Sequence, residues 1–192
     1  LGIPAEPLFR SASSVVGNTT VNINSGTIGT IGYRRKKETL ESQPLDSIYH
    51  VTGGSVFGGG VGDSTHAAYA QVDGNTNVNI KGGHVYYSVY GGGELASVTG
   101  KSTVNVTGGQ VGPAPRIELP DYNVEIGLNG VDGYVFGGGK GIGNDTIKLP
   151  QYPYGKYYQH ANAGNSEVVV NIPADADTTT NRIWGHVFGG AE

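Results

Sequence analysis

Sixteen acidic side chains, five histidines and no cysteine bound the chemistry this 192-residue chain can perform. Without thiols there is no disulfide, no thiolate nucleophile and no thiolate metal site, and the redox compartment cannot be read from cysteine usage. The histidines are scattered. His84 follows Gly82-Gly83 and His186 precedes Val187-Phe188, and no pair has the spacing of a zinc-binding helix, so they are expected to be surface histidines. A polysaccharide lyase or hydrolase needs carboxylates grouped around a Ca²⁺ or a glycosidic bond. The nearest approach to such a group is Glu118, Asp121 and Glu125, all in one segment, with nothing that requires them to converge. Gly100-Lys101-Ser102 resembles the end of a P-loop, but the pattern requires Gly where Leu95 stands. Gly139-Lys140-Gly141-Ile142-Gly143 is not followed by a helix pattern and is no dinucleotide fingerprint. No catalytic residue, no cofactor and no metal site is expected from these residues.

The elements that must position these side chains are repeats. One phrase occurs four times: Val56-Phe57-Gly58-Gly59-Gly60, Val89-Tyr90-Gly91-Gly92-Gly93, Val135-Phe136-Gly137-Gly138-Gly139 and Val187-Phe188-Gly189-Gly190-Ala191. A second alternates with it: Gly17-Asn18-Thr19-Thr20-Val21-Asn22-Ile23, Gly74-Asn75-Thr76-Asn77-Val78-Asn79-Ile80 and Gly100-Lys101-Ser102-Thr103-Val104-Asn105-Val106. A fourth copy, Gly164 to Glu167 leading into Val170-Asn171-Ile172, carries two extra residues. Val-x-Ile has a period of two, which puts Val and Ile on one face of a strand and Asn on the other. Strands this short need neighbours stacked on them, about 4.8 Å away. Val, Ile and Phe are expected to form apolar ladders inside the stack, and Asn22, Asn79, Asn105 and Asn171 an amide row outside. With 34 Gly supplying tight corners and no 3.6-residue apolar period, the expected fold is all-β, a right-handed parallel β-helix with loop insertions and little or no helix.

The chain is expected to form a single domain over 1–192, with residues 1–13 as an N-terminal cap and insertions near 30–50, 112–132 and 143–163. The first insertion carries Arg34-Arg35-Lys36-Lys37, expected to be a solvated charged loop. The third carries Tyr152, Tyr154, Tyr157 and Tyr158, flat amphipathic rings suited to a sugar or protein partner and equally suited to covering the side of the stack. A net charge of −4 offers no general attraction to nucleic acid, and no apolar run approaches the length of a membrane helix. The last repeat stops at Glu192 with no cap, so further repeats beyond Glu192 or a covering second chain are expected.

The Val-Asn-Ile-x-Gly-Gly and Val-Phe/Tyr-Gly-Gly-Gly units resemble the repeats of adhesin-like surface proteins of anaerobic gut bacteria, over roughly residues 14–192, and more loosely the β-helix passengers of autotransporters. The resemblance implies export and an extracellular or outer-surface location. It also implies candidate O-glycosylation at Asp-Ser/Thr sites, here Ser47, Ser64, Thr146 and Thr178, although Asp-Ser/Thr is also ordinary turn chemistry. The leading expectation is a non-enzymatic surface or secreted solenoid that presents its insertions to a glycan or protein. The alternatives are a carbohydrate-active enzyme on the same scaffold and a purely structural spacer.

Overall fold

The computed structural model describes residues 13–35, 47–52, 54–63, 69–112, 133–141, 146–149, 152–157 and 161–192; for 30–35, 47–52, 146–149 and 152–157 the backbone alone is described. The described residues are all-β, without helix.

Three parallel sheets each take strands from the four sequence repeats, in chain order. In the first, Thr19–Ile23, Thr76–Ile80, Val98–Val106 and Ala163–Val170 lie side by side, with Val15–Val16 and Val72–Asp73 leading into the first two. The second sheet joins Thr27–Ile28, His84–Val85, Gln110–Val111 and Arg182–Ile183. The third joins Val56–Phe57, Val89–Tyr90, Val135–Phe136 and Val187–Phe188. Every repeat visits the sheets in the same order, first to second to third, and the chain then returns to the first.

Register follows the repeat. Val21, Val78, Val104 and Val168 occupy one row; Val56, Val89, Val135 and Val187 occupy another. Alternation turns these rows inward. Val78, Ile80, Val85, Val89, Val104, Val106, Val111 and Val135 are fully buried and form one apolar cluster with Val56. Each valine so buried contributes about 1.5–3 kcal/mol relative to an exposed one, which is how strands of two residues persist.

Two expectations need correction. The aromatic row is not part of the inner cluster. Val and Phe are successive residues of a two-residue strand, so they face opposite ways, and the valines take the inside. Phe57, Tyr90, Phe136 and Phe188 instead stack on the other face of the third sheet, with centroids 4.8, 5.1 and 5.0 Å apart and planes within 6°, 5° and 11°. The second correction concerns Asn171. Asn105 pairs with Val169, so Val168-Val169-Val170 replaces Val-Asn-Val and Asn171 falls beyond the row. The irregularity in pairing is absorbed between Val98 and Lys101, and a Cβ on nearby Gly164 would come closer than 3.0 Å to the Thr99 carbonyl oxygen.

The insertions also differ from simple loops. Thr30–Arg35 pairs antiparallel with Ser47–Thr52, and Thr146–Leu149 pairs antiparallel with Tyr152–Tyr157. Each makes a two-stranded ribbon of its own, separate from the parallel sheets. Residues 113–132, most of the remaining insertion, and the cap expected at 1–13 up to residue 12 lie outside the described residues.

Candidate functional site

The Gly-Asn/Lys-Thr/Ser phrase builds the corner where the first sheet meets the third. Thr19, Thr76, Ser102 and Ser166 share one inward row. Thr19 Oγ1 donates to the Gly58 carbonyl at 2.6 Å, Thr76 Oγ1 to that of Gly91 at 2.5 Å, and Ser166 Oγ to that of Gly189. Thr76 Oγ1 also lies 3.0 Å from Ser102 Oγ, placed to accept that hydroxyl's proton, and both residues are buried. The hydroxyls thus satisfy carbonyls that the narrow corner withdraws from water. A Cβ on Gly91 would come closer than 3.0 Å to the Gly137 carbonyl oxygen, so glycine is required there by space alone. Ser102, the residue that a P-loop would place on a metal, is a structural hydroxyl.

The opposite face of the same strands is polar and open. Asn22, Asn79 and Asn105 form an amide ladder: Asn79 Nδ2 donates to Asn22 Oδ1 at 2.8 Å, and Asn105 Nδ2 to Asn79 Oδ1 at 2.9 Å. Asn105 Nδ2 also lies 3.0 Å from Asn77 Oδ1. Asn18 Oδ1 accepts from the Asn75 backbone N–H at 2.8 Å, and Asn75 Oδ1 from that of Lys101 at 2.7 Å, repeating the link one row away. Beside the ladder is a shallow depression of about 340 Å³ lined by Thr20, Asn77, Thr103, Asn105 and Lys101 with Asn18 and Asn75. Lys101 is the only charged lining residue, and its Nζ is 2.6 Å from Glu167 Oε2. Such a surface offers amide and hydroxyl donors and acceptors to a neutral polar ligand. The amide row is legible in the sequence as the asparagines alternating with the valines; the depression beside it, which depends on Thr20, Asn77 and Thr103 of three different strands, is not.

The remaining candidates are dispersed. His84 is in the second sheet, its Nε2 2.7 Å from the Gly112 carbonyl oxygen and its ring 4.1 Å from that of Tyr86. His186 lies at the third sheet, 5.2 Å from the Tyr134 ring. Among the described residues no three His, Asp or Glu side chains are grouped to hold a metal. Lys140, of the rejected dinucleotide motif, pairs with Glu94 at 3.0 Å. Tyr90 is fully buried; burial, followed by its 2.7 Å hydrogen bond to Glu192, pushes its hydroxyl well above the ordinary tyrosine range.

Of the selected tyrosines, Tyr152, Tyr154 and Tyr157 lie on one strand of the second ribbon, and Tyr158 is outside the described residues. Ser47 and Thr146 open ribbon strands, opposite Arg35 and Tyr157 respectively. Ser64 is outside the described residues, as are Glu118, Asp121 and Glu125. Thr178 is exposed in a turn nucleated by Asp177, whose Oδ1 accepts from Thr179 N at 2.8 Å and Thr179 Oγ1 at 2.7 Å. These bonds hold the Asp177 carboxyl below its usual range. At this site Asp-Thr does the work of a turn.

No family model matches this chain, and no curated protein or solved structure matches it. No helix among the described residues is long and apolar enough to cross a membrane.

Proposed function

We propose that the chain is a right-handed parallel β-helix that serves as a non-enzymatic, adhesin-like scaffold at a bacterial surface, presenting its insertions and its amide-rich face to a glycan. The observation that carries this is the division of labour between repeats and insertions. Four repeats visit three parallel sheets in one order, with a single irregularity of register in the fourth, whereas two insertions leave that pattern and pair only with themselves. A chain that returns to the same parallel sheet does so right-handed in nearly all known cases. Rigid repeats carrying self-contained excursions are the usual arrangement of a binding solenoid.

Glycan is favoured as the partner by the residue types of the second ribbon and of the amide face. The tyrosine-bearing ribbon offers flat apolar rings with a polar tip. The Asn–Thr face offers neutral donors and acceptors with a single ammonium. Export to an outer surface rests on the likeness of the repeats to adhesin-like proteins, and the Asp-Ser/Thr sites at Ser47, Ser64, Thr146 and Thr178 are proposed glycan acceptors in that setting.

The test is a glycan-array and polysaccharide-depolymerisation screen of the purified chain, with and without Ca²⁺. Binding without cleavage, lost when Tyr152, Tyr154, Tyr157 and Tyr158 are changed together to Ala, supports the proposal. Cleavage of any polymer overturns it in favour of an enzyme. Silence in both assays overturns the glycan assignment and leaves a spacer.

A further inference from the structure

The outward face of the first sheet is a grid. Thr19, Thr76 and Ser102 share an inward row, so the residues on either side of each face outward and form two columns along the stack. One column is Asn18, Asn75 and Lys101; the other is Thr20, Asn77 and Thr103. Neighbouring strands lie about 4.8 Å apart, and residues two apart on one strand about 6.6 Å, which sets the mesh of the grid. The depression of about 340 Å³ is lined by both columns, so it spans three strands along the stack and two columns across it.

The amide oxygens of these columns are already engaged within the fold. Asn18 Oδ1 and Asn75 Oδ1 each accept the backbone N–H one strand further on, at 2.8 and 2.7 Å, and Asn77 Oδ1 accepts from Asn105 Nδ2 at 3.0 Å. What is left is uneven. The Nδ2 groups of Asn18, Asn75 and Asn77 bond nothing among the described residues, and neither do the hydroxyls of Thr20 and Thr103. The lining amide oxygen left over is Asn105 Oδ1, whose own Nδ2 serves both Asn77 and Asn79. Donors therefore outnumber acceptors. Lys101 adds no uncompensated charge, since its Nζ is 2.6 Å from Glu167 Oε2.

These unengaged groups select a ligand. A surplus of N–H donors is answered by a group rich in acceptors. A carboxylate or phosphate would bring acceptors, but it would find no unpaired cation in the depression and would lie beside Glu167. An acetamido group brings a neutral carbonyl acceptor, together with one N–H donor for Asn105 Oδ1. In an extended β-1,4-linked chain of pyranoses each sugar advances by about one strand spacing, and successive substituents project to alternate sides.

We infer that this strip takes an extended β-1,4-linked glycan bearing N-acetylamino groups, lying along the stack with about one sugar per strand and its acetamido carbonyls turned alternately to the two columns. The inference rests on the glycan-binding reading above, and goes beyond it in naming the sugar, its direction and the residues that hold it.

Calorimetric titration of the full chain with N-acetylglucosamine oligomers of increasing length tests it. Affinity is expected to climb up to about three sugars, one for each strand lining the depression, and then to level off. Glucose oligomers of the same linkage and length, with a hydroxyl where the acetamido group stands, are expected to bind at least about tenfold more weakly. Thr20→Val combined with Thr103→Val removes two hydroxyls that hold nothing among the described residues and keeps strand-forming side chains. The double variant is expected to bind the N-acetylglucosamine trimer about tenfold more weakly, with its circular dichroism spectrum and unfolding midpoint unchanged. Thr103→Val alone, with a smaller loss, serves should the double variant fold poorly. Equal binding of the two oligomer series overturns the inference, as does an affinity independent of length or a trimer affinity that the threonine variants do not change. A glycan held through Tyr152, Tyr154, Tyr157 and Tyr158 but indifferent to the threonine variants removes this site and leaves the adhesin-like reading standing, whereas a chain that binds no glycan removes both.

Discussion

Asn79 sits between two amides and bonds both, donating to Asn22 and accepting from Asn105. Each such bond contributes about 0.5–1.5 kcal/mol net of water, so Asn79→Ala is expected to cost about 1–2 kcal/mol and Asn22→Ala, which loses one bond, about half as much. Urea denaturation of both variants reads this directly, and equal losses would contradict the ladder. Glycine positions separate more sharply. Gly91→Ala places a methyl against the Gly137 carbonyl and is expected to cost about 3 kcal/mol, whereas Gly189→Ala, whose Cβ would meet nothing within 4 Å among the described residues, is expected to be near neutral. Tyr90 supplies a pH test. Its hydroxyl titrates above the unfolded value of 10.0 because burial and Glu192 disfavour the phenolate. A raised folded-state pKa means that its contribution is complete below about pH 10 and is lost as pH rises further. Wild type should therefore lose stability relative to Tyr90→Phe above pH 10, by up to about 1.4 kcal/mol per pH unit. Parallel pH profiles for the two proteins would show that Tyr90 is not protected.

At the scale of the element, the first sheet shows how one strand can keep its register and change its face. Ala163–Val170 lies against Val98–Val106 with Val168 and Val170 inward, yet it sets Val169, 41% exposed, where the ladder would place an amide. Val169→Asn is expected to add a fourth rung on Asn105 and to stabilise the protein by about 0.5–1 kcal/mol, measurable as a raised denaturation midpoint. No change would mean that the last strand is too loosely held to order the amide. The repeats and their spacing were legible in the sequence because each row demands one residue class. Which copy of Val-x-Val or Val-x-Ile aligned in the fourth repeat was not legible. Val168-Val169-Val170 and Val170-Asn171-Ile172 satisfy the same alternation, and the two are distinguished only by the pairing itself, which sets Val169 on Asn105. The insertions had no repeat to compare with, and their antiparallel pairing depends on contacts within each ribbon that composition does not reveal.

For the whole molecule, stability in the proposed β-helix is a sum of repeats and the interfaces between neighbours. Removing residues 80–105 joins Asn79 to Val106 at equivalent positions of the repeat and deletes one circuit without shifting register. The shortened chain is expected to fold, with a lower denaturation midpoint and a smaller m value because less surface is exposed on unfolding. Failure to fold would show that the repeats are not interchangeable. Binding by the tyrosine ribbon should survive this deletion, since residues 146–157 lie outside the removed circuit.

The period of two, the glycine corners and the recurring Val-Phe/Tyr pair were enough to read parallel, stacked strands, an inner valine row and an outer asparagine row. These features are local: each follows from the direction of successive side chains in a strand and from the need to cover short strands with equivalent neighbours. Tertiary structure decided the rest. It turned the aromatic column away from the valine core, because two adjacent residues cannot share a face. It converted the Thr/Ser row into corner hydroxyls, because the glycines opposite bring carbonyls within reach. It brought Gly58, Gly91 and Gly137 against the carbonyls of the next repeat, because strands far apart in the sequence are stacked there.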